Sequence, residues 1–436
     1  MQSYEKKKMS INRVYTFLII SFPIFCQYRI ASLSYVDLFN VVIGLLGIYH
    51  EKLNLKNRFV PYFIFELVVS ILMSLTLSSI GTIILFKSLI SFGFMFINIY
   101  CIAPKKFDFY LGYRYYSGIV YLSSVLIAFQ YAIYFILKTK VSFLFPYIEL
   151  NYNGSMSYSE YLSRTLSGSE FRPCSIFLEP NHLVIYILPW IFLSLFLTKD
   201  GIILKNMLKI AFVSIMVCLS TSSFGIVGCA MAWLLYLIRI LHSKNKKLFL
   251  LVIPILIAVV IYISGMDEIK AQLYGKIVSL KSIRTGNVLM GSTTLRLIRG
   301  WLCFEQMDFV HQLFGSGYTN LQVYFDDYGI KTIVDDFTGV DTVFMNGIFT
   351  MLCRVGIVGS ILYLVPFFHL FKRKKIMFPL LLCWFLIEVT SSAFDTPSFF
   401  VLLLFTIKTS SELDKGTFEL FMSEKNVNGK FVNMTY

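Results

Sequence analysis

The stretch IGTIILFKSLISFGFMFINIYCIA, residues 80–103, carries one charge, Lys87, in 24 positions. An α-helix needs roughly 20 apolar residues to cross about 30 Å of hydrocarbon. The stretch is therefore long enough to span a bilayer. It is not alone. VYTFLIISFPIF (14–25) and IMFPLLLCWFLIEV (376–389) read in the same way. Over all 436 residues, 57% are hydrophobic and 15% are charged, against roughly 45–50% and about 25% in an ordinary soluble domain. The runs lack the strict alternation of barrel strands, and unsatisfied backbone is prohibitive in lipid, so the expected spans are helices. The fold class expected is all-α, a polytopic integral membrane protein.

Hydropathy marks about 12 spans, at 14–28, 35–50, 59–77, 80–102, 116–137, 182–198, 207–220, 223–241, 248–264, 342–370, 376–392 and 397–408. The net charge of +14 is gathered into short clusters at alternate gaps between them, such as EKKK (5–8), HSKNKK (242–247) and KRKK (372–375). By the positive-inside rule those gaps are cytoplasmic. Both termini then lie in the cytoplasm, with residues 409–436 as a cytoplasmic tail, and nucleic acid is not an expected partner. The first span lacks a small-residue cleavage site and is read as a retained anchor.

Two outer segments are much longer than the other connections, one over 138–181 and one over 265–341. Connections beyond about 12–15 residues are usually functional when they are not disordered, and neither segment has a disordered composition. Within the second, 267–283 has apolar positions at helical spacing and suggests an amphipathic helix on the outer leaflet. Residues 292–318 read as a helix closed by Gly315 and Gly317. Cys174 and Cys303 fall one in each segment, and a disulfide between them is an open alternative.

The chemistry-bearing residues gather where these segments meet spans. Arg172 precedes Pro173, which biases its backbone towards an extended form. Arg296 and Arg299 are three apart and occupy neighbouring positions on one helical face. Guanidinium is a planar fork that binds phosphate bidentately, so a lipid phosphate or diphosphate is the natural ligand, with ordinary headgroup or carboxylate pairing as the alternative. Arg164 and Asn181 extend this set of candidate substrate-binding residues. Glu179, at the entrance of a span, is either a general base with a raised pKa or a helix N-terminal acid that meets the dipole. His182 reads first as an interface residue. His311 is a further binding candidate without a placed partner. Arg354 lies inside the span after the second segment, where lining a cavity competes with pairing to Glu388. The acidic pairs at 326–327 and 335–336 read as solvated, and neither a metal site nor a cofactor is expected. There is no phosphate-binding glycine loop and no CxxC.

Taken in order, FRPCSIFLEPNH (171–182), TTLRLIRGWLCF (293–304), FGSGY (314–318) and FMNGIFTMLCRVGIVGSILYLV (344–365) resemble the bacterial O-antigen polymerase family, relatives of the O-antigen ligases. The resemblance implies a GT-C-like glycosyltransferase at the periplasmic face of the inner membrane. Such an enzyme joins oligosaccharide repeat units carried on undecaprenyl diphosphate, for O-antigen or capsular polysaccharide, with no cofactor. Its partners would be the lipid-linked oligosaccharide, membrane lipids, a chain-length regulator and a flippase. By position, the family's loop arginines match Arg172 and Arg296, and its first-loop acid matches Glu179. Preorganised cations would stabilise the departing diphosphate, and Glu179 would take a proton from the acceptor hydroxyl. The ligases carry a histidine just before an asparagine after the large loop. Here the stretch reads Phe344-Met345-Asn346, which favours polymerase over ligase. A repeat-unit flippase is the alternative from another class, although inverted repeats are not visible.

Overall fold

A computed structural model describes residues 2–30, 33–50, 57–77, 82–151, 156–167, 171–196, 204–241, 292–318, 320–331, 345–371, 377–391, 394 and 396–415. The chain is mostly helical. Helix α1 (Gln2–Phe25) runs into a short antiparallel pair, β1 (Tyr28–Ile30) and β2 (Leu33–Ser34). Next come α2 (Tyr35–His50), α3 (Val60–Ser74) and α4 (Thr82–Phe96), the last continuing through a π-helical turn (Ile97–Ile102) into α5 (Ala103–Lys106). Helix α6 (Phe109–Leu137) is followed by β3 (Glu149–Leu150), α7 (Tyr158–Ser167), α8 (Pro180–Phe196), α9 (Leu204–Leu219) and α10 (Ser223–Leu241). The C-terminal part holds α11 (Ser292–Gln306), α12 (Phe309–Phe314), α13 (Leu321–Asp327), α14 (Gly347–Phe371), α15 (Phe378–Thr390) and α16 (Pro397–Lys415).

Helix α8 is apolar on every side, and a helix of that kind is stable only when surrounded. It is the axis of the bundle. Almost every side chain from Leu183 to Phe196 is buried, and α6, α9, α10, α15 and α16 pack around it. Its few polar handles are satisfied internally: Tyr186 donates to the Ile20 carbonyl at 3.0 Å and Trp190 to the Ser117 hydroxyl at 2.9 Å. The outer helices are arranged the opposite way. Leu38, Val42, Leu45 and Leu46 of α2, Leu122, Phe129 and Ile136 of α6, and Ile357, Ile361 and Val365 of α14 are exposed. Two helices, α6 and α14, are both long and apolar enough to cross a membrane, and seven shorter apolar helices accompany them among the described residues. The ninth expected span (248–264) and the amphipathic stretch 267–283 lie outside the described residues. Helix α16 runs to Lys415, so the first residues of the expected tail continue the last helix.

The stretch 138–181 is not a plain loop. Strand β3 pairs with β1 in the register Tyr28↔Leu150 and Arg29↔Glu149, closing a three-stranded sheet of order β2-β1-β3. Tyr28, Leu144, Leu150, Met156, Tyr161 and Leu178 form its small core. This lobe caps the end of the bundle at which α8 begins.

The second outer segment is tied into the bundle through a break in α14. Gly356 adopts φ 65° and ψ −174° inside the helix, a conformation open only to glycine without strain. The carbonyls released there are taken up from outside the helix: Ser316 N–H donates to Cys353 O at 3.0 Å and Gly317 N–H to Arg354 O at 2.9 Å. On the far side, the Tyr318 amide donates to the Ser70 hydroxyl of α3 at 2.9 Å, and Asn320 donates to the Ser70 carbonyl at 3.1 Å. A Cβ on Gly356 would run into the Leu313 carbonyl, whereas one on Gly93 of α4 meets nothing within 4 Å. Gly356→Ala is therefore expected to destabilise by roughly 1–3 kcal/mol or more from backbone strain alone. Gly93→Ala is expected to stabilise by about 0.5–1 kcal/mol. Thermal melts of the two purified variants in detergent should separate them in opposite directions from the parent.

Candidate functional site

Residues 171–179 cross the mouth of the bundle without regular structure, although Pro173, Cys174, Ser175, Phe177 and Leu178 are buried. Buried irregular backbone needs partners for its N–H and C=O groups. Two buried glutamines supply them. Gln130, inside α6, accepts from the Ser175 amide at 2.8 Å and donates to the Val141 carbonyl at 2.9 Å. Gln27, at the end of α1, accepts from the Leu178 amide and donates to the Ile176 carbonyl at 3.2 Å. Ser175 takes a left-handed turn, φ 58°, between the two anchors. Upstream, Phe171 stacks on Tyr134 at 4.3 Å, fixing the entry to the segment against α6.

This clamping decides where the ionisable groups stand. Arg172 is exposed and lines a small pocket of about 20 Å³ together with Lys140, Gln130, Tyr161, Phe171 and Cys174. Glu179 precedes Pro180, and its carbonyl accepts from the Leu183 amide at 3.2 Å, which makes it the residue from which α8 starts. Both Arg172 and Glu179 act electrostatically on the intervening Cys174. The thiol is pushed up to about 11, chiefly by burial; the Tyr161 hydroxyl and Arg172 pull it down, and Glu179 pushes it up.

The second outer segment reaches the same mouth. Arg296 of α11 is half-buried and donates to the Thr390 carbonyl at the end of α15, at 3.2 Å. Its own carbonyl receives the Asn346 amide at 3.4 Å. Burial lowers the pKa of the Arg296 guanidinium from its ordinary value, and the Glu179 carboxylate opposes that shift. His182, in the first turn of α8, lies within the electrostatic reach of both Glu179 and Arg296. Thus Glu179, His182 and Arg296 are electrostatic neighbours, although more than 110 residues separate His182 from Arg296 in the chain, while Arg172 shares with Glu179 the surroundings of Cys174. Asn181 sits beside them, half-buried in the first turn of α8. A guanidinium beside a carboxylate and an imidazole, as Arg296 stands to Glu179 and His182, can hold an anion and exchange a proton with a neutral nucleophile.

The other expected residues fall elsewhere. Arg299 is buried to 1% exposure beside Cys303. Arg354 lies eight residues beyond Asn346 on α14, about 12 Å along the axis at 1.5 Å per residue, with its guanidinium 5.6 Å over the Tyr318 ring. His311 is buried, its Nδ1 2.5 Å from Asp308 and its ring 4.2 Å from that of Tyr324. Arg164 belongs to α7, and its side chain lies outside the described residues. Cys174 and Cys303 are both free thiols. Asn346 caps α14, accepting from the Phe349 amide at 3.0 Å. Among the described residues, His, Cys, Asp and Glu form no group of three or more that could hold a metal ion.

No family model, no curated protein and no solved structure matches the chain.

The residues that sequence reasoning passed over are Gln27 and Gln130. The available signal was a lone amide in each of two apolar stretches, FCQY and FQYA, since a polar side chain in a span needs a partner. Gln130→Leu would strand the Ser175 amide and the Val141 carbonyl, at about 1–3 kcal/mol for each buried group left unsatisfied. Cys174 reports the consequence. In the parent it is buried and its thiol is protonated at pH 8, so maleimide should leave it unlabelled. In Gln130→Leu the segment is released, the thiol pKa falls towards the ordinary value of about 8.5, and peptide mass mapping should find Cys174 labelled.

Proposed function

We propose that this chain is a polysaccharide polymerase of the bacterial inner membrane, a multi-pass glycosyltransferase of about 12 spans. It joins repeat units carried on a polyprenyl diphosphate at the periplasmic face. The observation that carries this reading is the approach of Arg296, from the second outer segment, to Glu179 and His182 at the head of the central helix, with Arg172 exposed in the same first-segment crossing that ends at Glu179. A lipid-linked diphosphate keeps its tail in the bilayer and its charge at the surface, so groups that grip it belong where segment meets span. The exposed apolar stripes of α2, α6 and α14 support placement in lipid, because soluble monomers rarely expose large contiguous apolar patches.

In this reaction the arginines hold the donor diphosphate and stabilise the negative charge that develops on it as the glycosidic carbon is transferred. The acceptor hydroxyl attacks that carbon. The carbon–oxygen bond to the diphosphate breaks, and the hydroxyl proton passes to Glu179 or His182. The donor is already activated, so no nucleotide is required.

The test uses cells that depend on this protein for long-chain polysaccharide. Arg172→Ala is the decisive variant, because Arg172 is exposed and its removal does not threaten the fold. Loss of one charge-assisted phosphate contact is expected to slow transfer on the order of ten- to hundredfold, so the ladder of chain lengths on a gel should collapse towards single repeat units while membrane levels of the protein hold. Arg296→Ala should do the same. An intact ladder would place the site elsewhere, and the disappearance of single repeat units as well would indicate a flippase.

A further inference from the structure

Helices α11 and α12 carry a face that nothing in the described protein covers. Trp301 is 56% exposed, Phe309 72%, Val310 51% and Phe314 39%. The opposite face of α12 is packed: His311 is buried under Tyr324 and beside Tyr328. In a loop standing in water, this exposed set would be an apolar patch without a purpose.

The anchoring points of the segment fix its depth. Trp301 meets Phe349, the third residue of α14, with ring centroids 6.1 Å apart. The end of α12 docks at the break in α14, where Gly356 faces Leu313 and Phe314. Gly356 lies nine residues after Gly347, roughly 14 Å along the axis. The whole 25-residue helix is about 37 Å long at 1.5 Å per residue, and the hydrocarbon core is about 30 Å thick. If α14 is centred on the core, Gly356 sits roughly 10 Å below the outer boundary. Phe314 also approaches Phe65 of α3, with centroids 6.5 Å apart. The patch is thus continuous with the exposed stripes of α3 (Ile64, Val68, Ile71) and α14 (Ile357, Ile361).

We infer that α11 and α12 form a re-entrant element, with Trp301 at the outer interface and the Phe309–Val310–Phe314 face covered by acyl chains of the outer leaflet. The inference rests on the reading of α14 as a membrane span. Its backbone fits that position. Irregular backbone at hydrocarbon depth is tolerated only where protein satisfies it, and the amides of Ser316, Gly317 and Tyr318 donate to Cys353, Arg354 and Ser70. Tryptophan at the shallow end matches the preference of that side chain for the interface.

The test is fluorescence quenching of the full-length protein in phosphatidylcholine vesicles containing nitroxide-labelled lipid. Trp190, Trp233 and Trp384 are buried, so the signal lost in Trp301→Phe isolates Trp301. Phe314→Trp and Phe129→Trp, each in the Trp301→Phe background, report the deep end of α12 and an exposed position on α6. Nitroxide near the headgroup should quench Trp301 most strongly, and nitroxide far down the acyl chain should quench Phe314→Trp. If Phe129→Trp is quenched by lipid while Phe314→Trp responds only to aqueous acrylamide, the re-entrant placement is overturned and the membrane reading stands. If lipid quenches none of the three, the membrane reading falls and this inference with it.

Discussion

The site depends on two amide side chains buried at the end of the bundle. Gln27 and Gln130 between them bond to four backbone groups of the first outer segment: the Ser175 and Leu178 amides and the Ile176 and Val141 carbonyls. Without them, residues 171–179 could not lie buried without regular structure. With them, Arg172 is left exposed at the edge of a small pocket while Glu179, seven residues on, begins α8. The ionisable groups are thus positioned by a neutral network beneath them, the arrangement in which polar side chains are held best.

The same constraint recurs where the second outer segment meets α14. Helix α14 breaks at Gly356, and the carbonyls it releases are claimed by the amides that follow Gly315. Each close approach excludes a Cβ on both partners: Gly315 faces Arg354 and Gly356 faces Leu313. Two stretches of irregular backbone therefore enter the helical body, one from each outer segment, and each has its polar groups met by protein. An arginine stands beside each entry, Arg172 at the first and Arg354 at the second. Arg296 joins the first because its carbonyl meets the head of α14 and its side chain meets the end of α15.

Much of this was legible in the sequence, and the part that was not has a common cause. Apolar length and charge spacing pointed to the helices, and the crowding of FRPCSIFLEPNH against an uncharged run pointed to the mouth of α8. The turn at Gly315 and Gly317 followed from the glycines themselves. The pairing of β1 with β3 did not, because strands of two or three residues joined across more than 110 positions leave no periodic trace. Gly356 looked like any small residue in a span, and the glutamines like isolated polar substitutions. Their roles are defined by partners distant in sequence, and local pattern does not encode that. Arg296 and Arg299 show the finer limit: three apart on one helix, they differ in burial because one reaches the ends of α14 and α15 and the other lies in a packed core.

The convergence of the two outer segments at one mouth is the feature from which the proposed chemistry follows, and proximity between them is open to direct measurement. In a variant whose native cysteines are replaced, Glu179→Cys and Arg296→Cys together should be joined by a short bifunctional maleimide in native membranes. Glu179→Cys paired with Phe309→Cys should not be joined. A cross-link for the first pair alone is the predicted result. No cross-link for that pair, with both thiols accessible to single labels, would contradict the shared site.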